Sequence, residues 1–162
     1  LAWYPQYLGI IASDLLKPGG EAGPLFGIFA RCDRGSKPAD HHSIFFLPAL
    51  SQSNGKPGLN HVSYEMVNVD DVFMGHEILD KQGYELEWGI GRHYQGSQIF
   101  DYWRSPFGQI HEHQTDGDVF DNTHPPQVVD VLLDGDPTNP QPGPSQWGPA
   151  INMETFGDER GL

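Results

Sequence analysis

The chain has 162 residues and a formal net charge of −13 at pH 7, which disfavours nucleic acids and anionic membranes as partners because phosphate binding needs clustered Lys and Arg. Hydrophobic residues make up 37% and aromatic residues 12% of the sequence, a composition typical of folded chains. Its apolar runs are too short to span a membrane, nothing resembles a signal peptide, and the single Cys32 excludes an internal disulfide framework. We therefore expect a folded protein of the reducing cytoplasm, with Cys32 as a small buried residue.

Residues 1–48 predict the end of a helix followed by three strands. The chain begins inside an amphipathic element that ends near Gly9, and its start looks like a cut end rather than a natural one. Three apolar runs, bounded by Gly, Pro and polar loops, predict strands at residues 10–14, 25–30 and 41–47.

Residues 59–114 predict the order strand, helix, strand, strand, strand. The first strand alternates with period two, and the helix at 70–82 repeats apolar residues at spacings of three and four. Asn68 or Asp70 can cap this helix, and Gly83 is a suitable stop. The other three strands are predicted at residues 84–89, 98–103 and 109–114.

Both halves thus show the same β-α-β-β-β order of elements, although their amino-acid sequences differ. This indicates an α+β fold with an internal repeat. The first module, residues 1–56, is incomplete because its first strand is missing, and the second, residues 57–115, is complete. Residues 116–162 form a tail rich in Pro, Gly and Asp. We expect this tail to wrap the surface, partly disordered, with a few packed anchors.

The chemistry centres on histidines, of which the sequence has eight. His61 lies within the first strand of the complete module, and Glu112 lies within its last strand. If these strands are neighbours, the imidazole and the carboxylate can face the same concave surface and supply two thirds of a 2-His-1-carboxylate triad, which leaves open positions on Fe(II). Alone this pair is a weak signal, since a hydrogen-bonded core histidine is the commoner case.

Three motifs make the signal more specific: GLNHVSYEM at residues 58–66, WGIGRH at 88–93 and FDYWRSPFGQIHE at 100–112. With them, this stretch resembles the last module of the extradiol catechol dioxygenases of the vicinal oxygen chelate superfamily. Upstream, YLGIIASD and DHHSIFFLP resemble the preceding module. The resemblance covers about residues 4–116.

The resemblance implies paired βαβββ modules forming a cup-like open barrel around the site. It implies a metal-dependent enzyme that inserts both atoms of O₂ into a catechol-type diol and cleaves the ring beside the diol, with Fe(II) or Mn(II) as the metal. His61 and Glu112 match metal ligands. His42 matches a distal-pocket acid/base residue, and His93 and Tyr102 match residues that hydrogen-bond the substrate and the bound oxygen.

The family's first metal histidine would lie about a dozen residues before Tyr4, outside the sequence. The chain therefore holds most of an active site, and its activity as a fragment is in doubt. We also expect an upstream pair of modules and a homo-oligomer.

Two alternatives stay open. A glyoxalase-like metal isomerase or lyase of the same fold has no need of the set formed by His42, His93 and Tyr102. The second alternative is a non-catalytic binding protein, or a fragment that binds no metal. Metal analysis would distinguish it from a dioxygenase. Of the other aromatic residues, we expect Tyr64 and Trp88 in the core.

Overall fold

The computed structural model describes residues 3–48, 57–131 and 144–156. Its elements follow in chain order: α1 (Trp3–Leu8), β1 (Ile10–Leu16), a 3₁₀ turn (Gly20–Ala22), β2 (Gly27–Cys32), β3 (Ala39–Asp40), β4 (Ile44–Phe46), β5 (His61–Glu65), α2 (Val69–Lys81), β6 (Glu85–His93), β7 (Ile99–Arg104), β8 (Ile110–Thr115), β9 (Val119–Phe120), β10 (Gln127–Val129), β11 (Ser145–Trp147) and α3 (Met153–Phe156). This content confirms the α+β class. No helix in the described part of the chain is long and apolar enough to cross a membrane.

The chain divides into two units by its contacts. Unit 1 comprises Leu1–Pro48 and Gly117–Gly143, and unit 2 comprises Ala49–Asp116 and Pro144–Leu162. The structure thus divides the predicted tail between the units, and the module boundaries themselves stay a prediction.

Unit 1 contains a four-stranded sheet in the order β10-β1-β2-β4 and a two-stranded sheet of β3 and β9. The predicted strands are present, and β1 runs two residues further than the predicted 10–14, to Leu16. Cys32 is exposed at the end of β2, so the expectation of a buried thiol was wrong. The short strands β9 and β10 were not predicted, because two or three residues are too few to show a period.

Unit 2 contains an open five-stranded sheet in the order β11-β6-β7-β8-β5. Strands β5 and β8 are parallel neighbours, with His61 opposite Ile110 and Ser63 opposite Glu112, which confirms the adjacency on which the predicted metal pair depends. Helix α2 packs against one face of this sheet, and the side chain of Asn68 caps it by accepting a hydrogen bond from Asp71 N at 3.1 Å.

The opposite face of the unit 2 sheet carries a core cluster of buried residues. Trp88, Phe100, Tyr102 and Ile110 form it. Tyr64, which we placed in the core, is instead 48% exposed and stacks on an outer-face histidine, because a period-two strand shows one face to solvent when only the other is covered.

The WGIGRH motif lies within β6, which runs beyond the predicted 84–89 to His93 and whose pairing with β7 shifts register twice. Gly91 is needed there because an added Cβ would lie 2.5 Å from the Phe100 ring and 2.8 Å from the carbonyl oxygen of Trp147. Close packing of β11 over β6 thus depends on the absence of a side chain.

We predict that Gly91→Ala lowers the free energy of unfolding by about 1–3 kcal/mol, because the methyl group has no room in the core. Gly75→Ala in α2 is the matched control: its Cβ would lie 3.6 Å from His113, an ordinary contact. Since alanine favours the helix, this control should raise stability by about 0.5–1 kcal/mol. Denaturant unfolding of both variants measures this, and equal effects would contradict the packing argument.

Candidate metal centre

Glu112 lies in the middle of β8, which has β7 on one side and β5 on the other. It stands opposite Tyr102 of β7 and Ser63 of β5 and is 4% exposed. Because side chains alternate along a strand, Glu112 shares one face with Tyr102 and His61, the face that carries the core cluster.

Two imidazoles flank the buried carboxylate. Nε2 of His61 is 3.5 Å from Oε2 of Glu112, and Nε2 of His93 is 3.5 Å from Oε1. Burial by itself raises the pKa of Glu112, but hydrogen bonding and positive charge from His61 and His93 outweigh it and hold the pKa far below its usual range. Glu112 is therefore an anion in this pocket.

His61 is oriented by Asn60, the residue before it. Nδ1 of His61 is 2.7 Å from Oδ1 of Asn60, whose Nδ2 donates to the carbonyl oxygen of Phe156 at 3.0 Å. Because the amide oxygen can only accept, Nδ1 carries a proton, and Nε2 is the ring nitrogen that faces Glu112.

Tyr102 and His93 form the polar wall beside Glu112. The Tyr102 hydroxyl is 3.0 Å from Nε2 of His93, while Nδ1 of His93 is 3.3 Å from the carbonyl oxygen of Pro144. Burial raises the pKa of Tyr102 well above its ordinary value, and the negative charge of Glu112 raises it further. The phenol therefore keeps its proton and can donate a hydrogen bond.

Aromatic rings surround this polar group. The Tyr102 ring lies 5.2 Å from that of His61 and 5.3 Å from that of Phe156 in α3, and the Trp88 ring lies 5.4 Å from that of Tyr102. These rings cover Tyr102 beside the carboxylate, and electrostatic interactions are stronger in such apolar surroundings.

The donor set fits a divalent transition metal. A neutral imidazole nitrogen and a carboxylate oxygen from adjacent strands are ligands of the 2-His-1-carboxylate type. No three His, Cys, Asp or Glu side chains are arranged to hold a metal ion within residues 3–48, 57–131 and 144–156. His61 and Glu112 are the pair that the sequence predicted as ligands, and this role stays a prediction.

Sequence reasoning identified four of these residues and missed two. His61, Glu112, His93 and Tyr102 come together as expected from the motifs, although their roles stay predictions. Asn60 was missed, and its signal was its place directly before His61. Phe156 was missed because it lies in a four-residue helix within the predicted tail.

The remaining histidines lie elsewhere. His42 belongs to unit 1, half-buried with its ring 4.7 Å from that of Phe29, so its role beside the centre stays a prediction. His76 contacts Asp101 on the α2 face of the unit 2 sheet, at 3.0 Å. His111 and His113 alternate away from Glu112 along β8, as expected.

Comparison with known proteins found relatives by sequence and by fold. No protein-family model matches the chain. Metapyrocatechase 2 of Cupriavidus necator is 36% identical over 80 residues, which are 49% of this chain and 23% of that protein.

Two solved structures are similar over most of the chain. The Mn(II)-bound glyoxalase from Novosphingobium aromaticivorans is 32% identical, with a TM-score of 0.64, over 81% of this chain and 38% of that one. Homoprotocatechuate 2,3-dioxygenase from Arthrobacter globiformis is 19% identical, with a TM-score of 0.68, over 99% of this chain and 45% of that one.

The chain spans less than half the length of each of these relatives. The match with the dioxygenase structure concerns the fold, whereas the match with metapyrocatechase concerns the sequence itself. Together with the pair of metal-type donors on adjacent strands, they confirm the resemblance seen in the motifs. The chain is therefore similar, by sequence and by fold, to extradiol ring-cleavage dioxygenases of the vicinal oxygen chelate fold.

Proposed function

We propose that the protein is a metal-dependent extradiol dioxygenase that cleaves a catechol-type aromatic diol beside its two hydroxyl groups, with O₂ as co-substrate. The observation that carries this proposal is the buried anion Glu112, held between His61 and His93 and next to the protonated phenol of Tyr102. This arrangement supplies metal donors and proton donors on one face of a sheet.

In this proposal His61 and Glu112 hold Fe(II), with Mn(II) as the alternative metal, and a third donor comes from outside the described residues. A metal ion held there would supply open positions for the diol and O₂ and a route for electrons between them. The carboxylate of Glu112 offsets the metal's charge, and the fixed Nδ1–H of His61 keeps Nε2 available as a ligand.

The other residues manage protons and orientation. Tyr102 donates a hydrogen bond to a substrate oxygen, and its raised pKa prevents it from becoming a competing anion. His93, held by Tyr102 and by the carbonyl oxygen of Pro144, accepts or donates at Nε2. His42 is assigned the removal of a diol proton, the role that its motif implies.

The aromatic rings around the centre suit an aromatic substrate. Phe156 and Trp88 pack against Tyr102, so an apolar ring placed beside them would gain burial while its oxygens face the polar residues. We also propose a homo-oligomer of the cytoplasm.

A glyoxalase-like isomerase or lyase is the second candidate, because the Mn(II)-bound glyoxalase is 32% identical to this chain. Such an enzyme would share the metal donors. It would not require the hydroxyl of Tyr102 or the ring of His93, and this difference separates the candidates.

We predict that Glu112→Gln in the complete protein, purified anaerobically, removes most bound Fe(II), because the neutral amide is a poor metal ligand. Glu77→Gln, an exposed side chain on α2, is the matched control and should retain the metal. Metal analysis by mass spectrometry measures both. A parent protein that binds neither Fe(II) nor Mn(II) would contradict the dioxygenase proposal.

We predict that Asn60→Ala weakens metal binding about 10–100-fold, because His61 loses the acceptor that orients its ring. Asn68→Ala is the control: it removes the cap of α2 and lowers stability by about 1 kcal/mol without changing metal affinity. Competition with a chromogenic chelator measures the affinity. Equal affinities in both variants would show that Asn60 does not support the ligand.

We predict that Tyr102→Phe lowers kcat for ring cleavage on the order of 10²-fold while metal content stays unchanged. The substitution removes a proton donor but leaves the proposed metal ligands in place. Tyr64→Phe, an exposed tyrosine on the outer face, should retain full activity. The yellow ring-cleavage product of a catechol gives the rate. Undiminished activity in Tyr102→Phe would favour the glyoxalase-like candidate.

A further inference from the structure

His41 of unit 1 is held at three atoms. Its backbone N donates to the carbonyl oxygen of Asp118 at 2.8 Å, and its own carbonyl oxygen accepts from the hydroxyl of Ser13 at 2.5 Å. Nε2 of the ring lies 2.9 Å from Oδ2 of Asp14, and the residue is 2% exposed. A histidine fixed in this way has one ring orientation.

A β-bulge brings Ser13 and Asp14 to His41. The register of β1 against β2 shifts between Ala12 and Asp14, and Ser13 and Asp14 are both buried although they are consecutive. In a regular strand they would point to opposite faces, so the extra residue turns both toward His41.

Arg31 determines the direction of the Ser13 hydrogen bond. Its buried guanidinium donates to the Ser13 hydroxyl at 2.7 Å and to the carbonyl oxygens of Asp121 and His124 at 2.9 and 2.8 Å. Because the Ser13 oxygen accepts from Arg31, its own proton is directed to the carbonyl oxygen of His41.

The ring of His41 connects Asp14 to His42. Nδ1 of His41 is 3.0 Å from Nδ1 of His42, on the far side of the ring from Asp14. The carboxylate of Asp14 accepts, so the proton of neutral His41 is on Nε2 and its Nδ1 is an acceptor. Nδ1 of His42 then carries a proton, and Nε2 is the unprotonated nitrogen of its ring.

We propose that Asp14 and His41 are positioning residues that fix His42 in the tautomer whose Nε2 accepts a proton. The consequence for catalysis rests on the proposed function, in which His42 removes a proton from the diol. The tautomer itself does not depend on that function.

The proposed proton movements balance. An O–H bond of the diol breaks, its proton bonds to Nε2 of His42, and the negative charge stays on the diol oxygen. His42 is then an imidazolium whose Nδ1–H donates to His41. Transfer of this Nδ1 proton to His41 leaves His42 neutral with a proton on Nε2, ready to donate, while the carboxylate of Asp14 stabilises the cationic His41.

The tautomers are measurable without turnover. In the complete protein loaded with diamagnetic Zn(II) and labelled with ¹⁵N-histidine, two-bond ¹H–¹⁵N spectra distinguish Nδ1–H from Nε2–H rings, and His42→Gln identifies the His42 signals. We expect Nδ1–H at His42 and Nε2–H at His41. Asp14→Leu removes the acceptor, and it should shift His42 toward Nε2–H, whereas Asp14→Glu should keep the parent pattern.

Kinetics test the catalytic consequence in the Fe(II) protein. We expect Asp14→Leu to lower kcat for a catechol on the order of 10²-fold with little change in KM, because the base is mispositioned while diol binding is not. Asp14→Glu should recover most of the rate. Asp33→Leu, at an exposed aspartate of the same unit, is the control and should resemble the parent protein.

Each result decides a separate point. An Nε2–H tautomer at His42 in the parent protein overturns the proposal and requires no variant, so it is informative even if Asp14→Leu does not fold. An unchanged kcat in a folded Asp14→Leu protein with an altered His42 tautomer overturns the catalytic role. A parent protein that cleaves no catechol refutes the proposed function, and the spectra still decide the tautomer.

Discussion

The buried charge of Glu112 is the constraint on which unit 2 depends. Removing a carboxylate from water costs several kcal/mol unless cationic or hydrogen-bonding groups replace the solvent. In the described residues its ionic partners are the imidazoles of His61 and His93, on the strand next to it and on the end of β6. The strand order β6-β7-β8-β5 brings these groups within reach of the carboxylate. The stability of the buried charge therefore depends on the topology of the sheet.

The two faces of the unit 2 sheet are covered by different segments of the chain. Helix α2 covers one face, and the segment from Pro144 to Phe156 returns to the other, where it packs against the metal-type donors and the aromatic core. Arg104 anchors that segment, since it binds Glu87 at 2.6 Å and the carbonyl oxygen of Thr155 at 2.6 Å. The residues that look least structured in the sequence therefore complete the wall of the site.

Both units contain a histidine whose hydrogen bond at one ring nitrogen determines whether the other nitrogen can donate or accept a proton. Asn60 accepts a hydrogen bond from Nδ1 of His61, and in the proposed function this leaves Nε2 to bind the metal. The carboxylate of Asp14 acts on His42 through His41, over two hydrogen bonds. Asn60 and Asp14 thus influence which ring nitrogen of a histidine carries the proton.

The sequence by itself determined the element order of both halves, the helix with its Asn68 cap, and the group His61, His93, Tyr102 and Glu112, because period, capping and motif spacing are local properties of the chain. Only the tertiary structure showed the return of Phe156 to the site, the exposure of Tyr64 and the contacts that connect Asp14 to His42 through His41. Short strands carry no period, a bulge shifts one residue without a strong sequence signal, and a hydrogen bond between residues 27 positions apart depends on strand register. These features are set by packing between distant segments, which no local pattern records.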